Sequence, residues 1–210
     1  MKILIPLAVA ALVIIISFFL FGELETISIE LLTQLKNNPL QYAFLSFIIL
    51  VSDIFLPVPS SIVMYLNGVF LGITGGFTVS LISVNVFSTV GYFVGKYSSI
   101  ALKSKPDARS EKILKEYGHF AIIITRGIPV LSESICFVCG YNLYNFKKYL
   151  LLNFIGYIPV CLIYAYFGSA AENQNLFFIS LGSSLLVSFL LWMVGKKLIG
   201  RSEQIKNLPF

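Results

Sequence analysis

The chain has 210 residues, 57% hydrophobic and 12% charged, with a mean hydropathy of +0.88, where a soluble domain carries about 25% charged residues. This composition excludes an ordinary soluble domain and identifies an integral membrane protein, expected at this length to form a single bundle. The net charge of +5 does not point to nucleic acid, because the basic residues lie between long apolar runs, where topology and anionic lipid account for them.

In chain order, the first apolar run is Ile3 to Phe21, its 19 residues close to the roughly 20 that span a hydrocarbon core of about 30 Å. It ends in the bulky "SFFLFGELE" rather than in small residues, so it reads as an uncleaved transmembrane helix within 1–22 and not as a signal peptide. From Glu23 to Pro39 three acids, Glu23, Glu25 and Glu30, stand against Lys36, which places this stretch outside. The linker after Gly95 holds Lys96, Lys103, Lys105, Arg109, Lys112 and Lys115, and by the positive-inside rule it lies inside. Lys147 with Lys148 forms a second inside cluster, and Lys196, Lys197, Arg201 and Lys206 a third. Together with Lys2 these clusters account for all the basic residues except Lys36 and Arg126.

The 56 residues from Leu40 to Gly95 offer room for two full crossings, whereas the charges demand an odd number. The stretch "DIFLPVPSS", Asp53 to Ser61, resolves the count. Leu40 to Ser52 goes in, the chain turns, and Ile62 to Val69 comes back, each arm too short to span. One crossing follows from about Gly72 to Gly95. The second half repeats the arrangement from the other face: His119 to Tyr144 starts and ends inside and is broken by "TRGIPVLSES", a crossing runs from about Tyr149 to Gly168, the outside "AENQN" follows, and a last helix spans 176–194. The expected fold is therefore an all-α polytopic membrane protein, an inverted repeat of two opposed re-entrant helical hairpins, at about 40–69 and 119–144, plus transmembrane helices. Two broken segments in corresponding positions of two halves point to a transporter with its site near the midplane.

Proline cannot donate a backbone hydrogen bond and disfavours helix in the residue before it, so Pro57, Pro59 and Pro129 release carbonyls from the helical ladder. Such backbone is tolerated at membrane depth only where protein buries it or water reaches it. Asp53, Arg126 and Glu133 flank these breaks. Each charge at the bilayer centre costs roughly 2.5–3.5 kcal/mol, so the three are expected to pair, to sit in water, or to bind substrate and protons. Arg126 as a static counter-ion pinning the hairpins, with Asp53 or Glu133 as partner, is the plainer alternative.

Other marks carry less. Cys136, Cys139 and Cys161 fall in apolar stretches and read as small packing residues rather than disulfides, with Cys136-x-x-Cys139 as a redox pair disfavoured for want of a thioredoxin-like context. His119, the only histidine, reads as an interfacial polar residue. Gly68, Gly72, Gly75, Gly76, Gly91 and Gly95 read as packing positions, and Asn85 and Asn153 as groups that bond across helices or line a path. Tyr92 and Gly140 belong to the same set of cavity or packing positions, and Lys112 to Tyr117 reads as a short surface helix. No metal-ligand cluster and no cofactor motif appears.

The segments "DIFLPVPSSIVMYLNGVFLG", "GYFVGKY" and, after the basic linker, "YGHFAIIITRGIPVLSESICFVCGYNLYNFKKYLLLNFIGY" resemble the DedA superfamily, also called the SNARE-associated Golgi protein or VTT domain, over about residues 40 to 170. The resemblance implies two opposed re-entrant hairpins and lipid movement: recycling of undecaprenyl phosphate and proton-dependent membrane homeostasis in bacterial members, phospholipid scrambling in eukaryotic relatives. It puts Asp53 at the acidic position of the first hairpin and Arg126 at the arginine of the second. The chain departs from the bacterial DedA pattern in lacking a second arginine shortly after Arg126, where it carries Glu133, and so leans toward the more divergent VTT branch.

Three function classes follow. The first is a flippase or scramblase in which Arg126 holds a lipid phosphate while Asp53 or Glu133 takes up a proton. The others are a small-ion or metabolite transporter using the same site, and a non-transporting assembly or homeostasis factor. An enzyme is not expected: there is no Gly-x-Ser-x-Gly elbow, and only one aspartate lies in the membrane. The expected location is a bacterial inner membrane with both termini cytoplasmic, the expected partners membrane lipid and protons.

Overall fold

The computed structural model describes residues 29–35, 37–53, 58–101, 122–127, 131–170 and 175–206. The expected first helix, Pro57, Pro129, His119 and the 112–117 stretch lie outside the described residues. Among the described residues every regular element is helical: α1 (Pro39–Ser52), α2 (Ser60–Ala101), a 3₁₀ turn (Thr125–Gly127), α3 (Leu131–Tyr141), α4 (Phe146–Ser169) and α5 (Asn175–Lys206). Two of them, α2 and α4, are long and apolar enough to cross a membrane. The polarity of the bundle matches that setting. Leu40, Phe44, Ile82, Leu151, Phe178 and Leu186 face outward, while Ser46, Asn67, Ser80, Ser83, Ser88, Arg126 and Asn153 are buried, the reverse of a soluble protein.

Proline starts α1, where its missing N–H costs nothing, and Tyr42, Ser46, Ile49 and Leu50 form its buried stripe. Helix α2 is two limbs. Gly72 has φ 70° and ψ −176°, a conformation open essentially to glycine alone, and the chain doubles back there. Asn67 Nδ2 donates to Ser80 Oγ at 2.9 Å, yet residues thirteen apart on a straight helix would be separated by about 20 Å. Ser46 Oγ in turn donates to Asn67 Oδ1 at 2.6 Å. A fully buried asparagine thus ties α1, the short limb 60–71 and the long limb 73–101 together. The long limb continues to Ala101, past the Gly95 expected from sequence, and α5 likewise runs beyond Val194 to Lys206.

The second half turns by a different device. Helix α3 ends in a Schellman motif, with the Tyr144 N–H donating to the Cys139 carbonyl and the Leu143 N–H to the Gly140 carbonyl, both at 2.9 Å. Leu143 holds the left-handed position at φ 54°. In each half a short helix, a residue of positive φ and a long helix therefore follow one another.

Packing between the halves is reciprocal. A Cβ on Gly68 of the short limb would fall 2.6 Å from the Ala165 carbonyl oxygen of α4, and Gly168 of α4 abuts the Tyr65 carbonyl and Gly68. In the other direction Gly140 of α3 abuts the Tyr92 carbonyl, and Gly95 of α2 the Phe137 carbonyl. Each short helix thus lies on the C-terminal part of the other half's long helix, at backbone contact. Gly140→Ala should accordingly lower the melting temperature of the detergent-purified protein, since overpacking of this kind costs about 1–3 kcal/mol. Gly182→Ala in α5, where a Cβ meets nothing within 4 Å, should leave it unchanged or raise it, because alanine is the better helix former by about 1 kcal/mol. Equal melting temperatures for the two variants would contradict the close approach.

Candidate functional site

Asp53 caps the end of α1, is buried, and reaches across the break: its Oδ1 accepts from the Val58 N–H at 2.9 Å, and its carboxylate is also bonded to the Ser60 side chain. Pro59 begins the next helical limb, its carbonyl accepting from the Ile62 and Val63 N–H groups at 2.9 and 3.1 Å. The aspartate supplies a partner that the proline-interrupted backbone lacks.

Arg126 sits in the 3₁₀ turn and is 3% exposed. Two glycines make room for it. A Cβ on Gly156 of α4 would fall 2.9 Å from the Arg126 Cγ, and one on Gly127 would strike Ser188 Oγ and the Ser184 carbonyl of α5. Nη1 donates to the Ser132 carbonyl at 2.9 Å, to Cys136 Sγ at 3.3 Å and to the Tyr157 hydroxyl at 3.4 Å. The Tyr157 and Tyr149 rings stand 5.1 and 5.9 Å from the guanidinium carbon, within cation–π range. Among the described residues Nε and Nη2 have no hydrogen-bond partner.

Glu133 lies in the first turn of α3 and within electrostatic reach of Asp53. Asp53, Arg126 and Glu133 therefore meet on the wall of one small cavity of about 30 Å³. Its wall comes from both halves and from α5: Leu50 and Asp53 from α1 and its end, Ser60, Ser61 and Met64 from the short limb, Ser132 and Glu133 from α3, Tyr157, Val160 and Tyr164 from α4, and Ser184 from α5. Two carboxyls, one guanidinium and several hydroxyls on an otherwise apolar wall form a chamber suited to an anion carried on an apolar body.

Of the residues singled out in the sequence as cavity or packing positions, Gly68, Asn85, Tyr92, Gly140 and Asn153 are not wall residues of this cavity. Asn153 Nδ2 donates to Asn85 Oδ1 at 2.9 Å and so joins the two long helices. The Tyr92 hydroxyl donates to the Tyr144 carbonyl, and its ring stacks on Tyr149 with centroids 5.1 Å apart. Cys136, Cys139 and Cys161 are free and buried, and Cys136 donates to the Ser132 carbonyl at 2.9 Å while receiving the Arg126 bond. Sequence reasoning missed Cys136, Tyr149, Gly156 and Tyr157 as neighbours of Arg126. The signal available was spacing: Tyr149, Asn153, Gly156, Tyr157, Val160 and Tyr164 fall on one face of α4.

Residues 58–170 match the VTT domain. The chain is 28% identical over 156 residues to the uncharacterized membrane protein YbfM of Bacillus subtilis, covering 66% of this chain and 94% of that protein. It is 24% identical over 160 residues to undecaprenyl phosphate transporter A of Bacillus subtilis, covering 69% and 78%. It is also 24% identical over 165 residues to an alkaline phosphatase-like protein of Lactococcus lactis, covering 69% and 77%. No solved structure matches. With a match over more than half its length, the chain belongs to the VTT domain family, the DedA group of membrane proteins.

Proposed function

We propose that this protein moves a phosphate-bearing lipid across the bilayer, undecaprenyl phosphate or a phospholipid, and that the two breaks are the tips of hairpins dipping into the membrane from opposite faces. The observation that carries this reading is the buried guanidinium of Arg126, with Nε and Nη2 unpartnered among the described residues, on a cavity between the two breaks. The reciprocal packing of the short helices on opposite long helices supports the opposed hairpins, and the relative named as an undecaprenyl phosphate transporter supports the substrate class. Arg126 receives the phosphate, the apolar outer faces let the tail stay in lipid, and Asp53 with Glu133 supplies a carboxyl that exchanges a proton. The bundle carries this out as a transporter and not as an enzyme, with both termini and the 96–117 linker cytoplasmic.

The test is lipid exposure in proteoliposomes of the purified full chain. Undecaprenyl phosphate loaded in the inner leaflet should become accessible to an external binding protein faster than in protein-free vesicles. In the same study a cysteine placed at Lys103 should react with an impermeant thiol reagent only after the cells are opened. Uptake of a soluble anion into sealed vesicles with no change in lipid exposure would favour a small-ion or metabolite transporter instead, and labelling from outside intact cells would overturn the topology.

A further inference from the structure

The way Arg126 is held has a consequence for how it meets its ligand. A guanidinium offers two faces for an oxyanion: the end formed by Nη1 and Nη2, and the side formed by Nε and Nη2. In Arg126 the end is blocked, because Nη1 is committed to the Ser132 carbonyl, the Cys136 sulfur and the Tyr157 hydroxyl. The side carries the two nitrogens that find no partner among the described residues, on a residue 3% exposed that nevertheless lines the cavity. Parallel N–H groups on one edge match two oxygens of a phosphate or carboxylate.

We propose that Cys136 is a positioning residue, holding Nη1 of Arg126 so that the Nε–Nη2 edge is presented ready-made to two oxygens of a phosphate group. Ser132 and Cys136 are four residues apart on one face of α3, and Cys136 bonds both the Ser132 carbonyl and the arginine. The thiol therefore ties the first turn of α3 to the guanidinium, and Tyr157 braces it from α4 through hydroxyl and ring. Without that hold the long side chain recovers rotamer freedom and binding has to order it afresh. This role rests on the reading of Arg126 as the headgroup site, and it gives the Cys136-x-x-Cys139 motif a use other than redox chemistry.

The experiment is equilibrium binding of farnesyl phosphate to the detergent-purified full chain by calorimetry, with farnesol as the phosphate-free control and inorganic phosphate as the tail-free one. Cys136→Ala, which removes the acceptor, should weaken farnesyl phosphate about tenfold, and Cys136→Ser, which restores an acceptor of similar size, should bind within about twofold of wild type. Farnesol binding should be equal in all three. Tyr157→Phe keeps the ring and removes the hydroxyl, and should show the same selective loss; it carries the test if Cys136→Ala does not fold. Wild-type affinity in both Cys136→Ala and Tyr157→Phe, a Cys136→Ser variant as weak as Cys136→Ala, or equal weakening of farnesol would overturn the positioning role. If wild type does not prefer farnesyl phosphate to farnesol, the headgroup reading itself fails. Binding of inorganic phosphate with the same dependence on Cys136 would uphold the positioning role and assign a soluble anion as the source of the phosphate.

Discussion

Arg126→Ala should reduce lipid exposure in proteoliposomes by about a hundredfold or more, to near the rate of protein-free vesicles. Hydrogen bonds to charged groups are worth about 1.5–3 kcal/mol each, and the edge of Arg126 that has no partner among the described residues offers two, so losing both removes about 3–6 kcal/mol of headgroup binding. The loss extends further, because the two carboxyls of the cavity, Asp53 and Glu133, then share its wall with no positive charge among the described residues that line it. Arg126→Lys is the sharper control. Lysine keeps the charge but has no planar fork, and it cannot give Nη1 to Ser132, Cys136 and Tyr157 while presenting an edge to the ligand. It should stay at least tenfold below wild type. Lipid exposure at the wild-type rate in Arg126→Lys would be the behaviour of a charge needed only to hold the bundle together, and would return the residue to a structural role.

How far such a site is readable in advance depends on the kind of interaction that makes it. The break after Asp53 was legible because proline acts locally: Pro59 can be recognised as a helix boundary without knowing its surroundings, and the bonds of Ile62 and Val63 to its carbonyl follow from that. The meeting of Asp53, Arg126 and Glu133 was legible from cost, since charges in an apolar chain need one another or a ligand. The reversals were not. In the sequence Gly72 reads as one more packing glycine, yet a Cβ there meets nothing within 4 Å, and the residue serves to turn the chain. Leu143 takes a positive φ that its residue type disfavours, because the cap of α3 and the docking of α4 demand it.

The missing pieces share a cause. Gly95 against Phe137 and Gly168 against Tyr65 are partnerships of residues far apart in sequence, and a glycine carries no mark of which backbone will approach it. The sequence offers carboxylates as the candidate partners of Arg126, whereas among the described residues its hydrogen bonds go to a carbonyl, a thiol and a phenol. Neutral acceptors of that kind are too common in sequence to be picked out. What picks them out is the packing of α3 and α4 around one turn.

The acid at the first break has a duty that fixes which substitution tests it. Asp53 Oδ1 accepts from the Val58 N–H, so alanine would leave that buried donor unmet, at a cost of about 1–3 kcal/mol, and would confuse folding with function. Asparagine keeps the acceptor and removes only the charge. The polar groups that share the cavity wall with Asp53 are Ser60 and Ser61 from the short limb, Arg126 from the 3₁₀ turn, Ser132 and Glu133 from α3, Tyr157 and Tyr164 from α4 and Ser184 from α5. With both carboxyls ionised the charge of Asp53, Glu133 and Arg126 sums to minus one, and an arriving phosphate is repelled. At an effective dielectric of about 20, two unit charges roughly 6 Å apart repel by about 3 kcal/mol. Protonating one carboxyl brings that sum to zero, so wild-type binding of farnesyl phosphate should tighten as the pH falls and weaken as it rises. Asp53→Asn starts in the neutralised condition. It should bind about tenfold more tightly than wild type at the high end of a titration from about pH 5 to 9, match wild type at the low end, and show a flattened profile between. Transport driven by a proton gradient should be lost in the same variant, because binding and release no longer differ in protonation. If the slope survives in Asp53→Asn and disappears in Glu133→Gln, the proton belongs to α3, and Asp53 is left to hold the Val58 N–H and the Ser60 side chain across the break.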